Sequence, residues 1–256
     1  MGLSSIRGVI RRRMLVNFRV DAEVMQRQLP EPFRPKLLNG SALAGICLIR
    51  LEQMRPSFVP LPFGFASENA AHRVAVCWTD AQGEQREGVY IPRRDSGSLL
   101  NYLAGGRVFP GQPHRAHFKV RERDGAIRFQ MRSHDGSSQV RLQARDAAEL
   151  PATSHFASLQ AASDFFAGGS SGFSATSDPR RLEGLCLCTN AWHVEPLAVD
   201  EVYSSYFADE HRFPKGSVQF DCALIMRDIP HSWQRLADLG VRQRDVSTEA
   251  LEAVAV

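Results

Sequence analysis

The sequence predicts a β-rich α+β protein, an antiparallel closed or partly closed β-cone or barrel with peripheral helices. Three observations predict it. In "AIRFQMRS", Ile127, Phe129 and Met131 take one face and Arg128, Gln130 and Arg132 the other, the period of a strand with one wet face. Turn signals at Gly83 and Asp124-Gly125 join such segments at hairpin spacing. No internal repeat and no shift in composition marks a linker, so residues 1–240 are expected to form one domain, with 241–256 a peripheral tail.

Taken in order, "RMLVNFRV" reads as a strand. "DAEVMQRQLP" follows as a short helix, with Asp21 as N-cap and Pro30 as stop. "SALAGICLIRLEQM" is a nearly continuous apolar run, read as a buried strand, and "RPSFVPLPFGF" as irregular loop. "HRVAVCW" and "EGVYIPR" form a hairpin around Gly83. "SGSLLNYLAGG" reads as a helix capped by Ser96 and closed by Gly105. "HRAHFKVRER", "AIRFQMRS" and "QVRLQAR" are consecutive strands. "SHFASLQAASDFFAGG" looks helical from a Ser154 cap, and "SSGFSATSDPRR" looks like loop. "GLCLCTNAW" and "SVQFDCALIM" read as late strands flanking a helical "VDEVYSSYFADE".

Composition removes several function classes. Hydrophobic residues make up 43% and charged residues 23% of the 256, ordinary values for a globular chain able to bury a large core. The net charge is only +3, and the sole basic cluster, Arg11 to Arg13, has no recognition module beside it, so no nucleic-acid partner is expected. No run approaches membrane-spanning length and the N-terminus lacks a signal-like apolar stretch, so no membrane partner is expected and the cytoplasm is the expected compartment. The five cysteines are odd in number and scattered through apolar runs, as reduced core thiols would be. Cys186 and Cys188 form C-x-C, but no second pair has zinc-like spacing, so no metal is expected. A phosphate loop and a dinucleotide fingerprint are lacking, and no cofactor is expected. The expected partners are a small-molecule ligand and, at most, further copies of the chain.

Two strand starts carry candidate chemistry. If a strand begins at His114, that residue shares a face with Ala116, Phe118 and Val120, which aims one imidazole into an apolar space. A satisfied core histidine is the competing reading. Upstream, Glu68, Ala70, His72, Val74, Val76 and Trp78 alternate onto one face, a carboxylate and an imidazole heading an apolar stripe that lines a cavity mouth or ends in solvent.

Gly106, Arg107, Gly111, Pro113 and His114 run as G-R-x-x-x-G-x-P-H, which resembles the acetoacetate decarboxylase motif with histidine at the Schiff-base lysine position. "SENAAHRVAV", "GVYIP" and the segment into that loop follow the decarboxylase order. The fuller chain, over roughly residues 10–235, is similar to an uncharacterised bacterial domain-of-unknown-function branch of that superfamily that lacks the lysine. The resemblance implies a β-cone around a central small-molecule pocket. It also argues against the family's reaction, since imine formation needs a primary amine and neither His114 nor Arg115 supplies one. Lys119, an odd number of positions on, points to the other face of a regular strand.

The function expected is therefore a small-molecule pocket protein acting on or holding a small carboxylated metabolite. In its enzymatic form His114 is the acid/base and Glu68 its partner. Arg107 or Arg94 clamps the anion, and His72, Tyr90 and Phe118 complete the binding surface. A non-catalytic ligand-binding or sensor protein is the alternative. Contact between His114 and Glu68 inside a cavity favours the enzyme; a cone filled with side chains favours a scaffold.

Overall fold

The structure, a computed structural model, describes residues 5–58, 64–98 and 111–240. Its centre is a wall of five long strands in the order β13 (Val218–Arg235), β1 (Ser5–Val20), β4 (Ser41–Pro56), β5 (Phe65–Thr79) and β6 (Gln85–Ser96), each antiparallel to the next. Both faces of this wall are covered. That explains why the β4 sequence is apolar almost without interruption instead of alternating.

The wall closes on itself twice. From the second half of β6 the sheet continues through β7 (Pro113–Arg123), β8 (Ala126–Ser133), β9 (Gln139–Asp146) and β12 (Glu195–Ser204) back to β13, a closed nine-stranded barrel. From the first half of β6 it continues through β10 (Ser171–Ala175) and β11 (Arg181–Cys188) to the far end of β13. This second circuit contains seven strands: β6, β10, β11, β13, β1, β4 and β5. All pairings are antiparallel except β6–β7 and β6–β10, so the sheet is mixed at the two places where β6 takes an outer partner. The short strands β2 (Arg34–Pro35), β3 (Leu37–Leu38) and β14 (Leu239–Gly240) extend the edges.

Strand parity sorts the side chains between the two interiors. Met14, Val16, Ile46, Leu48, Val74 and Ile225 point into the nine-stranded barrel, where they meet Phe129, Met131 and Leu142. Leu15, Cys47, Ile49, Ala75, Leu224 and Met226 point into the seven-stranded circuit with Phe156, Phe166 and Leu187.

Local signals were followed where they were strong. Asp21 caps α1 (Ala22–Gln28), its carboxylate accepting the Glu23 and Val24 N–H groups at 3.0 and 2.9 Å. Asp124 and Gly125, at φ 51° and 76°, make the tight β7–β8 turn. Three expectations are corrected. "VDEVYSSYFADE" is not helical: β12 runs to Ser204 because its backbone pairs with β9 and β13, which outweighs its helix-forming residues. "SSGFSATSDPRR" is not wholly loop, since it contains β10. The helix α2 (Leu159–Gly168) begins at Ser158, whose hydroxyl accepts the Ala161 N–H, while Ser154 is engaged by Asp221 instead. The expected helix after Ser96 lies from Leu99 onward outside the described residues, as does the 241–256 tail.

Candidate functional site

The interior of the seven-stranded circuit is incompletely filled. A cavity of about 100 Å³ lies there, and every strand of the circuit contributes to its wall. The void follows from small residues on that face: Cys47 on β4, Ala71 on β5 and Gly172 on β10 leave space that larger side chains would occupy. Apolar area comes from Ile49, Ile91, Leu185 and Leu187, with Trp192 and Trp233 in the same lining.

Three arginines enter this apolar space. Arg94 lies in register with Ala71 on β5 and Pro113 on β7, and gives its Nε–H to the Ser174 hydroxyl at 2.9 Å. Arg73 is only 4% exposed. It stretches over Gly45, its register partner, to reach the Asn17 carbonyl at 2.5 Å, and it lies 4.7 Å from the Phe166 ring centroid. Gly45 has no side chain to obstruct that reach. Arg13 donates Nε–H to the Cys47 sulfur at 3.3 Å and lies 5.7 Å from the Trp192 centroid. Burial pushes the Arg73 and Arg94 guanidiniums down to about 10, so both remain cationic at neutral pH.

Among the described residues, none of the three makes an ion pair with a carboxylate, and the buried Arg73 Nε has no acceptor. The carboxylate residue in the lining, Asp95, is occupied: both of its oxygens are taken by Arg93, at 2.9 and 2.8 Å. Asn69 and Ser96 complete a polar end of the cavity, the Ser96 hydroxyl donating to the Asn69 carbonyl at 2.7 Å. Buried cations without counter-charges are costly to maintain, and a bound anion is the ordinary remedy.

Of the residues expected to form the site, Arg94 lines this cavity. His72, Tyr90 and Phe118 lie on the other side of the wall, in the nine-stranded barrel. His72 is fully buried, 3.0 Å from the Ser204 hydroxyl and 4.7 Å from the Tyr206 ring, and burial lowers its pKa to about 3. Tyr90 packs 5.8 Å from Phe33, with burial raising its hydroxyl to about 12, and Phe118 sits edge-on to Phe129 at 5.9 Å. Arg107 is outside the described residues.

His114 and Glu68 do share the face that alternation assigned them, but they do not meet. Across β6, His114 is in register with Asp95 and so with Ala70, one side-chain repeat from Glu68. The His114 ring is 35% exposed with Nδ1 3.4 Å from Asp135, while Glu68 pairs with Arg12 at 2.7 Å and Arg50 at 3.7 Å. Burial raises the Glu68 carboxyl above its ordinary value, and the two arginines oppose that rise. Sequence reasoning missed Arg13, Arg73 and Cys47. Their signal was a polar or small residue on the second face of strands apolar on both sides. That signal has no meaning until both faces are known to be interior.

Among the described residues no group of three or more histidine, cysteine, aspartate or glutamate side chains is arranged to hold a metal ion. Among them, too, no helix is long and apolar enough to cross a membrane.

The fold is that of the acetoacetate decarboxylases. The crystal structure of acetoacetate decarboxylase from Legionella pneumophila superposes with a TM-score of 0.56 at 13% identity, covering 91% of this chain and 87% of that one. An acetoacetate decarboxylase-like enzyme from Sphingomonas wittichii gives 0.52 at 12% identity, covering 94% and 92%. Another acetoacetate decarboxylase structure gives 0.53 at 10% identity, covering 94% and 90%. No curated protein matches the sequence. A family model does match, over residues 9–208, and on that match this acetoacetate decarboxylase-like chain belongs to the DUF2071 family, described as an uncharacterized conserved protein.

Proposed function

We propose that the protein binds a small carboxylated metabolite in the cavity of the seven-stranded circuit and does not act as a Schiff-base decarboxylase. The observation that carries this reading is the set of three arginines in an apolar, partly empty space with no carboxylate paired to them among the described residues. Guanidinium groups match a carboxylate with two parallel hydrogen bonds, and in a desolvated setting such bonds are strong. Asn69 and Ser96 supply neutral polar partners, and the tryptophans and leucines an apolar surface for the body of the ligand.

The lysines speak against the imine route. None of the three lines this cavity: Lys36 pairs with Glu87 on the neighbouring surface, and Lys119 and Lys215 are exposed. His114 receives no acid/base role in this reading, because its ring faces Asp135 and Pro113 alone of that pair reaches the lining. A thermal-shift series tests the proposal. Small keto acids, hydroxy acids and lipophilic acids should include members that raise the melting temperature, while their amides do not. Stabilisation by amides and acids alike would remove the anion from the reading. In parallel, acetoacetate with borohydride should leave the mass of the protein unchanged; a stoichiometric adduct on a lysine would restore the imine route.

A further inference from the structure

Cys47 occupies an unusual place among the five cysteines. Its sulfur accepts the Arg13 Nε–H at 3.3 Å and lines the cavity beside Arg73 and Arg94. The other thiols differ. Cys222 is fully buried beside Asp221, and burial pushes it up to about 12. Cys186 and Cys188 alternate with the cavity-lining Leu185 and Leu187 and so face the other side of β11.

We propose that Cys47 is a nucleophilic thiol directed at small carboxylates bearing an electrophilic carbon. The thiolate is the attacking form of any cysteine, and reactive cysteines occur in electropositive, partly exposed settings; Cys47 is 9% exposed, with the cavity as its opening. Arg73, 4% exposed and in the same lining as that sulfur, has a buried Nε with no acceptor among the described residues, a second polar group open to an anion there. In conjugate addition the sulfur forms a bond to the β-carbon of an unsaturated carboxylate. The π pair moves to the α-carbon, which takes the proton that the thiol released, so no oxidant or further reactant is needed. Arg94 and Arg73 hold the carboxylate, and Arg13 faces the charge on sulfur. The proposal rests on the reading that the cavity admits anions.

Two alkylating probes of nearly equal size test it in the intact full-length protein. In each the Cys47 proton goes to solvent, a sulfur–carbon bond forms, and the carbon–iodine bond breaks with iodide leaving. Rates at each cysteine are read by peptide mass spectrometry. The iodoacetate-to-iodoacetamide rate ratio at Cys47 should exceed that at Cys186 and Cys188 by about tenfold or more, the scale on which a charged cleft concentrates its counter-ion. Arg94→Gln should lower the iodoacetate rate by a larger factor than the iodoacetamide rate, and the wild-type ratio stands as evidence without any variant. A Cys47 inert to both reagents, with acids still raising the melting temperature, overturns the thiol proposal and leaves anion binding standing. A fast iodoacetamide reaction with no iodoacetate preference overturns the anion reading and with it the stated electrophile class.

Discussion

The nine-stranded barrel and the seven-stranded circuit share five strands as a common wall, yet large apolar side chains cluster in the barrel while the circuit keeps a void of about 100 Å³. The difference is made residue by residue along the same strands. On β4, Ile46 and Leu48 fill the barrel while Gly45 and Cys47 face the circuit; on β5, Val74 and Val76 fill the barrel while Ala71 and Arg73 face the circuit. A strand's two faces are specified independently, so one wall can be a structural core on one side and a binding surface on the other. Charge follows the same division. The buried cation on the barrel side, Arg12, has carboxylates from Glu68 and Glu122, whereas those on the cavity side have none among the described residues.

Matched substitutions can break that comparison. The largest effect is expected from Leu142→Ala in the packed barrel, where the side chain has 0% exposure: a loss of about 3–4 kcal/mol of unfolding free energy in urea. Leu185→Ala, whose side chain already borders the void, should cost about 2 kcal/mol or less, because fewer packing contacts are lost. Equal costs would mean that the circuit is as tightly packed as the barrel.

An intermediate effect is expected from acid. His72 is neutral in the fold with a pKa of about 3 against 6.5 for the free group, so the unfolded chain binds the extra proton between those values. Its contribution is fully present above pH 6.5 and is lost as pH falls toward 3. Between pH 6.5 and 5 that amounts to about 2 kcal/mol. Stability measured against pH in wild type and His72→Gln should diverge over this interval, the variant having the shallower slope. Parallel curves would mean that His72 is solvated in solution.

The smallest change is expected from Arg94→Met. Replacing this half-buried cation, which pairs with no carboxylate among the described residues, by an apolar side chain of similar length should leave stability within about 1 kcal/mol of wild type, and on the favourable side. The same variant should lose the thermal shift given by carboxylic acids. A large destabilisation would mean that Arg94 is held in the fold by a partner stronger than Ser174.

Much of the barrel was legible in the sequence because its outer strands have one wet face. Ile127, Phe129 and Met131 alternate cleanly against exposed arginines, and β8 and β9 follow from that pattern. Alternation also assigned His114 to the face of Ala116 and Phe118, and Glu68 to that of Ala70 and His72. The candidate site was less legible, since alternation separates inside from outside only when there is one inside. β1 and β4 have two interiors, so Arg13 and Cys47 looked like a surface residue and a core thiol. β10 was invisible for another reason: its five residues, Ser171–Ala175, take their strand character from pairing with β6 and β11 and carry no pattern of their own.

The central place of β1 has a consequence for how the protein is made. Its neighbours are β4, close in the chain, and β13, whose register joins Ser5 to Gln234. During synthesis neither barrel can close until β13 has left the ribosome. Until then a sheet apolar on both faces, with an unpaired edge at β1, is open to its surroundings. Pairings this distant in sequence form slowly, and exposed edges of that kind invite association with other nascent chains. Production in cells should therefore depend on chaperone capacity and growth temperature more steeply than the stability of the finished molecule alone would require.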